Sequence, residues 1–499
     1  MAGTLKAFRK EDSVSSRLSL WLILSFQAAL SLFALHNTAF EDEALYLFAG
    51  KQILRDWRSH HFAAEPYGSY FSGYPTLYPV IAGMLDMVGR LEAARMLSLV
   101  CMLGVTVCVF WTTEFLVDRK SATAAAILFS FQGTVLFLGR LATYDSMCLL
   151  LLALATVLAL RASTARKLWE AFAIGPLSAF AVASKYAGLL FVPTIFALLV
   201  WRSLQAQGWL KTVLRAGIAL GSLAVAFLIL YNLRSEGVLR GLGTTTLHRV
   251  ISERAPLDVL LNTIVELGGL IYLLGLVGLL MNGVNDPGTG LLLFASSLLV
   301  PVYHLDKGEL VSLHKHIAFG LFFIMPLAGY VVARLITHGT RVFNFYRLAG
   351  VAIVVFSLIL GLHQAYTLYH SWPSSSELVH LLQGQVRPGN DRYLVEECNV
   401  SRFYLQNASY PWQWTSLDYF EYTDQEKREL LGKDAYIAAI GDGYFKLIEL
   451  NFGARAGLAK SIDQAVRASG RYDLLVKSSY PSSFGPGDFW IWRLKPSSP

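Results

Sequence analysis

The chain has 499 residues, of which 54% are hydrophobic and only 15% charged, and its formal net charge is +7 at pH 7. Soluble proteins are about 45–50% apolar and about 25% charged, so this composition excludes an ordinary soluble protein and indicates an integral membrane protein. In such a protein the positive charge favours anionic lipid headgroups and sets orientation, and nucleic acid is not a predicted partner.

Eleven apolar segments have the composition of membrane-crossing helices, which need about 20 apolar residues or somewhat fewer. They are residues 18–35, 96–116, 122–138, 147–160, 171–184, 186–201, 212–231, 259–281, 291–303, 317–335 and 348–368. Basic residues precede the first segment and it lacks a small-residue cleavage site, so residues 1–17 are predicted to be a cytoplasmic tail. With this orientation nearly every cytoplasmic loop carries Arg or Lys, as the positive-inside rule requires. The sequence therefore predicts a polytopic α-helical protein with about eleven transmembrane helices within residues 18–370.

The first extracytoplasmic loop, residues 36–95, begins near three consecutive carboxylates, Glu41, Asp42 and Glu43. The residues after them have the periodicity of an interfacial amphipathic helix, and one carboxylate would suffice as its N-cap. Three carboxylates at a membrane surface repel one another and favour a partner such as a proton, a cation or a substrate hydroxyl. We predict a functional role for Asp42, with Glu43 as a helper and Glu41 as a solvated neighbour.

Residues 74–88 of the same loop are apolar enough to be counted as a further membrane span. Counting them would invert the orientation of every later loop and place Arg161, Arg166 and Lys167 outside, against the positive-inside rule. The segment is therefore predicted to be a juxtamembrane or membrane-dipping helix.

Further polar residues fall on the extracytoplasmic side of this topology. The sequence GRLATYD contains Arg140 and Asp145, which could form a local salt bridge that closes a helix hairpin. Lys185 lies in an apolar segment, where a charge at the helix centre costs about 2.5–3.5 kcal/mol, and snorkelling to the interface is the alternative to a functional role. Two outer loops carry Arg249 and Lys315, and basic residues on this side favour an anionic ligand such as a phosphate.

After the last apolar segment, residues 374–499 have a soluble composition and are predicted to be a small extracytoplasmic α/β domain. The runs YLVEE, AYIAAI, YDLLVK and FWIWRL are predicted strands. A helix is predicted to open at Thr423, because Glu426 follows it at the spacing of a capping box.

Carboxylates and cations at one membrane surface suit the transfer of a sugar from a lipid phosphate. The polyprenyl phosphate is a good leaving group, which needs Arg, Lys or a metal ion to hold its developing charge. The acceptor hydroxyl is a poor nucleophile and needs a carboxylate base within hydrogen-bond reach.

The order of several short motifs resembles the GT-C superfamily of lipid-linked-sugar glycosyltransferases, in particular aminoarabinose transferases and protein O-mannosyltransferases. These motifs are FEDEALY, YPTLYPVIAGMLDMVG, GRLATYD, SKYAGLLFVP and HKHIAFGLFFIMPLAGY. The resemblance implies that Asp42 is the general base with Glu43 beside it, and that Asp145 is the family's second functional aspartate, next to Arg140. It further implies that Lys185 approaches the donor phosphate, and an extracytoplasmic C-terminal domain fits the same family.

Two features leave part of this resemblance open. Aminoarabinose-transferase-like sequences have a Lys-Pro-Pro element in the first loop, where this chain has Ser72 and Gly73. Metal dependence varies in the family, so a divalent metal ion is an open cofactor. His304, His314 and His316 could bind a metal with a carboxylate, although their spacing matches no strong zinc template.

The sequence thus predicts an inverting membrane glycosyltransferase that moves a sugar from a polyprenyl-phosphate donor to a hydroxyl of a glycan, lipid or protein on the extracytoplasmic face. Its predicted catalytic residues are Asp42, Glu43 and Asp145, and its predicted phosphate-binding residues are Lys185, Arg140, Arg249 and Lys315. The alternatives are a transporter or flippase of lipid-linked glycans, which should show two pseudo-symmetric halves, and a non-catalytic membrane subunit. The expected location is a bacterial inner membrane.

Overall fold

A computed structural model describes residues 2–59, 65, 67, 70–73, 77–243, 254–284, 286–338, 344–453 and 455–496, with the backbone alone for 2–17 and 234–242. The chain divides into two compact units. The first unit is Met1–Leu35 and Pro66–Tyr366, and the second unit is His36–Glu65 and Thr367–Pro499.

The first unit is built from helices. They are α1 (Ala2–Ala34), α3 (Leu77–Leu116), α4 (Arg119–Ser130), α5 (Gly133–Leu138), α6 (Tyr144–Thr164), α7 (Ile174–Ser184), α8 (Val192–Gln207), α9 (Trp209–Leu242), α10 (Leu257–Leu280), α11 (Pro287–Ser297), α12 (Leu299–Lys307), α13 (Leu313–Thr337) and α14 (Phe345–Tyr369), whose last three residues belong to the second unit. The second unit contains α2 (Glu41–Ser59), α15 (Ser376–Gln383), α16 (Cys398–Tyr404), α17 (Gly432–Asp442), α18 (Ala456–Ser469) and seven strands.

In the described part of the chain, eight helical stretches are long and apolar enough to cross a membrane, and two shorter apolar helices lie at Leu18–Ala34 and Leu168–Ser184. Each of the eleven predicted segments is mostly helical, which confirms the predicted polytopic α-helical class. Residues 122–138 are divided between α4 and α5, because Gln132 adopts an extended conformation between the two helices. This division explains why the segment is absent from the eight long stretches.

Helix α3 is interrupted between the predicted membrane-dipping segment and the span that follows it. Gly89 and Arg90 leave the helical conformation, and Arg90 has a φ of 58°, a left-handed value that is uncommon for residues other than glycine. The break separates the helical turns that begin at Leu77 from the longer apolar run that ends at Leu116, as the sequence predicted for two different helices.

Helix α13 packs inside the first unit, and 18 of its 25 residues are buried. Small residues bring its neighbours close, as is usual for helices packed in a membrane. A Cβ at Gly320 would lie 2.4 Å from the carbonyl oxygen of Ser297, and one at Gly329 would lie 2.6 Å from that of Ser121. Any larger side chain at these two positions would push α11 or α4 away.

The second unit contains a five-stranded sheet in the order β2-β1-β5-β7-β6 and a separate hairpin, β3-β4. The strands are β1 (Tyr393–Val395), β2 (Trp414–Thr415), β3 (Glu421–Thr423), β4 (Glu429–Leu431), β5 (Leu447–Leu450), β6 (Tyr472–Tyr480) and β7 (Gly487–Leu494). Strand β1 pairs in parallel with β2 and β5, and β7 pairs antiparallel with β5 and β6. Helices α17 and α18 supply apolar residues to a core that also includes Ile448 and Trp492. The small strand and helix region at the C-terminus is therefore confirmed.

Two local predictions for this region are wrong. The run AYIAAI lies in helix α17, because its buried residues Ala435, Tyr436, Ala439 and Ile440 recur at helical spacing and cover one face. Thr423 ends strand β3, and the turn after it is closed by the Asp424 carboxylate, which accepts hydrogen bonds from the backbone N–H groups of residues 426 and 428.

The second unit also includes α2, which packs against α16. The ammonium of Lys51 lies 4.8 Å from the ring centroid of Phe403, and the guanidinium of Arg402 lies 4.8 Å from that of Phe48. Asn37, just before α2, donates hydrogen bonds from its side chain to the carbonyl oxygens of Tyr369 and Trp372. The first part of the first loop thus belongs to the same compact unit as the C-terminal region.

Candidate functional site

Asp145 and Lys185 form a buried ion pair in the first unit. Asp145 lies in the first turn of α6, where the helix dipole favours a negative charge. Lys185 lies in extended backbone between α7 and a turn of 3₁₀ helix, and its Nζ is 2.6 Å from Oδ1 of Asp145. The side chain of Thr143 donates a hydrogen bond of 2.9 Å to Oδ2 of the same carboxylate. Both oxygens of Asp145 are therefore held in place.

The surroundings of Lys185 exclude snorkelling, because only 4% of its side chain is exposed. Its ammonium lies 4.9 Å from the centroid of the Tyr144 ring, a cation–π distance. The Tyr144 ring in turn meets the ring of Tyr78 edge to face, with 6.2 Å between centroids. These contacts thus hold the side chain of Lys185 in the interior of the first unit.

The first loop contacts the backbone beside Lys185. The carbonyl oxygen of Ser72 accepts a hydrogen bond of 2.7 Å from the N–H of Tyr186. A Cβ at Gly73 would lie 2.3 Å from the carbonyl oxygen of Ser184, so only glycine fits there without movement. Ser72 and Gly73, where this chain departs from the aminoarabinose-transferase pattern, therefore make a packing contact that holds the loop against the backbone beside Lys185.

Arg140 is buried and pairs with Glu92, with 2.6 Å between its Nη2 and Oε2 of the carboxylate. Glu92 also lies 3.3 Å from Nη1 of the buried Arg95. The sequence did not single out Glu92 or Arg95, although both follow the first-loop motif in the segment LEAAR. The structure thus pairs Arg140 with Glu92 and Asp145 with Lys185. The local salt bridge between Arg140 and Asp145, which the sequence left as an alternative, is not the pairing observed.

Lys315 and two histidines lie in the same part of the first unit. Lys315 is buried, and its charge acts on Asp145 together with that of Lys185. Nε2 of His304 lies 2.9 Å from Nδ1 of His316, a direct hydrogen bond that leaves no room for a metal ion between these two nitrogens. Among the described residues no group of three or more His, Cys, Asp or Glu side chains could hold a metal ion.

An apolar groove of about 380 Å³ lies beside this polar group. It is lined by Val182, Ala183, Tyr186, Ala224, Phe227, Leu228, Leu230 and Tyr231 from α7, α9 and the turn after Lys185. Tyr186 directly follows Lys185 in the chain. The ion pair and the groove together offer charged groups next to a surface that suits a hydrocarbon chain.

Asp42 and Glu43 lie in the first turn of α2, in the second unit. Oε2 of Glu43 accepts a hydrogen bond of 2.9 Å from the N–H of Phe40, so this buried side chain caps the helix. Asp145, the third of the predicted catalytic residues, lies in the first unit. Arg249, which was predicted to bind phosphate, lies outside the described residues.

The prediction that Glu41 is a solvated neighbour is wrong. Its side chain accepts a hydrogen bond from Asn399, and burial raises the pKa of Glu41 to about 8, with a further contribution from the negative charge of Glu397. Burial likewise raises the pKa of Glu397 to about 7 and that of Glu449 well above its ordinary value. The sequence does not mark Glu397 or Glu449, because only the fold brings Glu397 close to Glu41 and to Glu449. We call these three residues the carboxylate cluster of the second unit.

Part of the chain is similar to a known protein family. Residues 75–231 match the family model described as dolichyl-phosphate-mannose-protein mannosyltransferase. A search of curated proteins finds no match.

Three solved structures share the fold. The apo oligosaccharyltransferase of Archaeoglobus fulgidus is 11% identical with a TM-score of 0.57, over 95% of this chain and 74% of that one. ArnT from Cupriavidus metallidurans bound to undecaprenyl phosphate is 12% identical with a TM-score of 0.54, over 94% of this chain and 97% of that one. The arabinofuranosyltransferase AftD from Mycobacteria is 13% identical with a TM-score of 0.55, over 96% of this chain and 40% of that one. These matches confirm the resemblance to the GT-C superfamily, at identities that establish the fold.

Proposed function

We propose that this chain, which has the fold of the GT-C membrane glycosyltransferases, transfers a sugar from a polyprenyl-phosphate donor to a hydroxyl group of an acceptor on the extracytoplasmic face. The observation that carries the proposal is the buried Asp145–Lys185 pair beside an apolar groove. A cation beside an apolar groove suits a lipid phosphate, since its head is an anion and its tail is a hydrocarbon.

The cations of the first unit would bind the phosphate. Lys185 and Lys315 are buried close enough to act on the same carboxylate, and Arg140 is a third buried cation. Phosphate oxygens of the donor would compete with Asp145 for Lys185, and the gain in charge on the departing phosphate would strengthen that contact in the transition state. We assign Arg249 to the same role from the sequence, and the groove beside Tyr186 to the lipid tail.

Asp42 would act as the general base. A carboxylate that removes the acceptor proton allows attack on the anomeric carbon from the face opposite the phosphate, and one such displacement inverts the configuration. Glu43 would hold the first turn of α2 in place through its bond to Phe40, and Asp145 would position Lys185. Carboxylate oxygens are also the ligands that Mg²⁺ prefers, so a divalent ion is a testable cofactor.

The ancillary parts of the proposal follow from the topology. We place the second unit and the active face outside the cytoplasm of a bacterial inner membrane, because the basic loops then lie inside. The acceptor would be a glycan, a lipid or a protein that presents a hydroxyl group at this face.

The test is a transfer assay on purified protein with a panel of polyprenyl-phosphate sugars, with and without a metal chelator. Wild-type protein should release polyprenyl phosphate, and Asp42→Asn should reduce the rate by about 10²–10⁴-fold, the usual contribution of a general base. Asp306→Asn is the matched control, because 70% of the Asp306 side chain is exposed and its removal should leave the rate unchanged.

Two results would contradict the proposal. Equal turnover by wild type and Asp42→Asn would remove Asp42 from the mechanism. Movement of intact donor across a vesicle membrane, without release of polyprenyl phosphate from any member of the panel, would favour the flippase alternative.

A further inference from the structure

His304 and His316 form a hydrogen-bonded chain that ends at an unpaired nitrogen. Nδ1 of His304 lies 2.6 Å from the carbonyl oxygen of Glu309, and Nε2 of His304 lies 2.9 Å from Nδ1 of His316. Nε2 of His316 is shielded from solvent and has no hydrogen-bond partner among the described residues. His304 itself is 1% exposed.

The direction of this chain follows from the carbonyl oxygen at its start. A carbonyl oxygen only accepts, so Nδ1 of His304 carries a proton and donates it. In a neutral ring Nε2 of His304 is then an acceptor, which requires Nδ1 of His316 to donate. Nε2 of His316 is therefore left without a proton and presents a lone pair.

The neighbouring charges favour this neutral arrangement. Lys185, Lys315 and His314 all act electrostatically on His316. A second proton on either ring would add a positive charge next to two lysines, which like-charge repulsion and burial both oppose. The same lysines are assigned to the phosphate, so His316 lies within electrostatic range of the proposed phosphate site.

We propose that Nε2 of His316 accepts a hydrogen bond from a hydroxyl or amine group of the donor sugar and so helps to select that sugar. The inference depends on the proposed function, because the sugar is bonded directly to the phosphate that Lys185 and Lys315 would hold. His316 as a whole residue is partly exposed, although its Nε2 is shielded from solvent. An acceptor-only nitrogen binds O–H or N–H groups and rejects a carboxylate.

A lone pair of this kind discriminates between sugars that supply a hydrogen-bond donor and sugars that do not. When the matching hydroxyl is absent, the buried nitrogen stays without a partner and the complex lacks this hydrogen bond. Sites built to bond a substrate hydroxyl reject analogues that lack it for this reason. His316 would therefore act as a specificity-determining residue, and His304 as a positioning residue that sets its tautomer.

The first experiment measures kcat/KM for the sugar that wild-type protein transfers and for each of its monodeoxy analogues. One deoxy analogue should be about 10–100-fold worse than the parent for wild-type protein, and less than about threefold worse for His316→Phe. His316→Gln keeps an acceptor oxygen and should preserve part of the discrimination. His380→Phe is the control, since His380 is exposed in α15 of the second unit.

The second experiment is independent of activity and reads the tautomers by ¹⁵N NMR of histidine-labelled protein in nanodiscs. His304 and His316 should both carry their proton on Nδ1, and His304→Phe should return His316 toward the Nε2–H form. A proton on Nε2 of His316 in wild-type protein, or equal deoxy penalties in wild type and His316→Phe, would overturn the inference. Absence of transfer by wild-type protein would instead contradict the proposed function, and the NMR result would still test the tautomer.

Discussion

In the first unit the buried carboxylate of Asp145 is paired with Lys185 at 2.6 Å, whereas in the second unit Glu41 and Glu449 both have another carboxylate, Glu397, as a neighbour. Lys185 and Lys315 supply positive charge to Asp145. The electrostatic effect of Glu397 on both Glu41 and Glu449 is repulsive, and it adds to the rise that burial causes in the pKa of each.

The difference shows that burial alone does not decide the charge of a carboxylate. Burial opposes the charged form in both units, but a cation at contact distance offsets the cost in one and not in the other. The first arrangement is a buried ion pair. The second stores protons near neutral pH, since the pKa values of Glu41 and Glu397 are about 8 and about 7.

The largest expected effect comes from breaking the pair. Lys185→Met leaves Asp145 buried without its contact cation, which should lower the free energy of unfolding by about 3–5 kcal/mol. Equilibrium unfolding in mixed micelles, with SDS as denaturant, measures it. Sugar transfer should be lost as well.

The double variant Lys185→Met with Asp145→Asn separates stability from function. It removes both charges, so most of the lost stability should return while transfer stays abolished. Recovery of transfer in the double variant would show that the lysine serves the carboxylate alone and does not bind the donor.

A smaller effect is expected from the carboxylate cluster of the second unit, where the sign of the pH dependence is diagnostic. The pKa of Glu41 is about 8 in the folded protein and near 4.5 when exposed. The folded state therefore holds the extra proton between these values, and the stability from Glu41 falls as pH rises through that window. In Glu41→Gln this fall should be smaller by on the order of 1 kcal/mol between about pH 6 and about pH 8.

Thermal unfolding of the purified protein across this pH range measures the change. Glu377→Gln is the control, because Glu377 is exposed in α15 and its substitution should leave the pH dependence as it is in wild type. A wild-type stability that rises from pH 6 to pH 8, and rises equally in Glu41→Gln, would contradict the assignment of a stored proton to Glu41.

The smallest effect is expected at Glu92, a carboxylate that has cations but is not buried. Its side chain is 59% exposed although its partner Arg140 is 2% exposed. Solvent screens such pairs, so Glu92→Gln should change the free energy of unfolding by less than about 1 kcal/mol. A loss as large as that in Lys185→Met, measured in the same micelles, would mean that burial of one partner is enough to make an ion pair strongly stabilising.

Part of the candidate site could be predicted from the sequence and part could not. Asp145 and Lys185 stand out because each is a charge in an apolar context, and the structure brings them together. The sequence does not mark Glu92 and Glu449 in this way. Each of these glutamates gains its role only from the residues that pack against it in the folded protein. The capping-box spacing at Thr423 predicted a helix that is wrong, for a related reason. A side-chain oxygen that caps a helix can equally bind the backbone N–H groups of a turn, and the spacing does not distinguish the two.

The sequence by itself determined the membrane class, the helical segments and the identity of the charged outliers, because the cost of placing polar groups in lipid acts on each segment separately. Only the tertiary structure decided which charges meet. It paired Asp145 with Lys185, grouped residues 36–65 with the C-terminal region, placed Glu41 beside Glu397, and joined His304 to His316 by a direct hydrogen bond. Coulomb and hydrogen-bond energies depend on distances between residues far apart in the chain, and those distances exist only after folding.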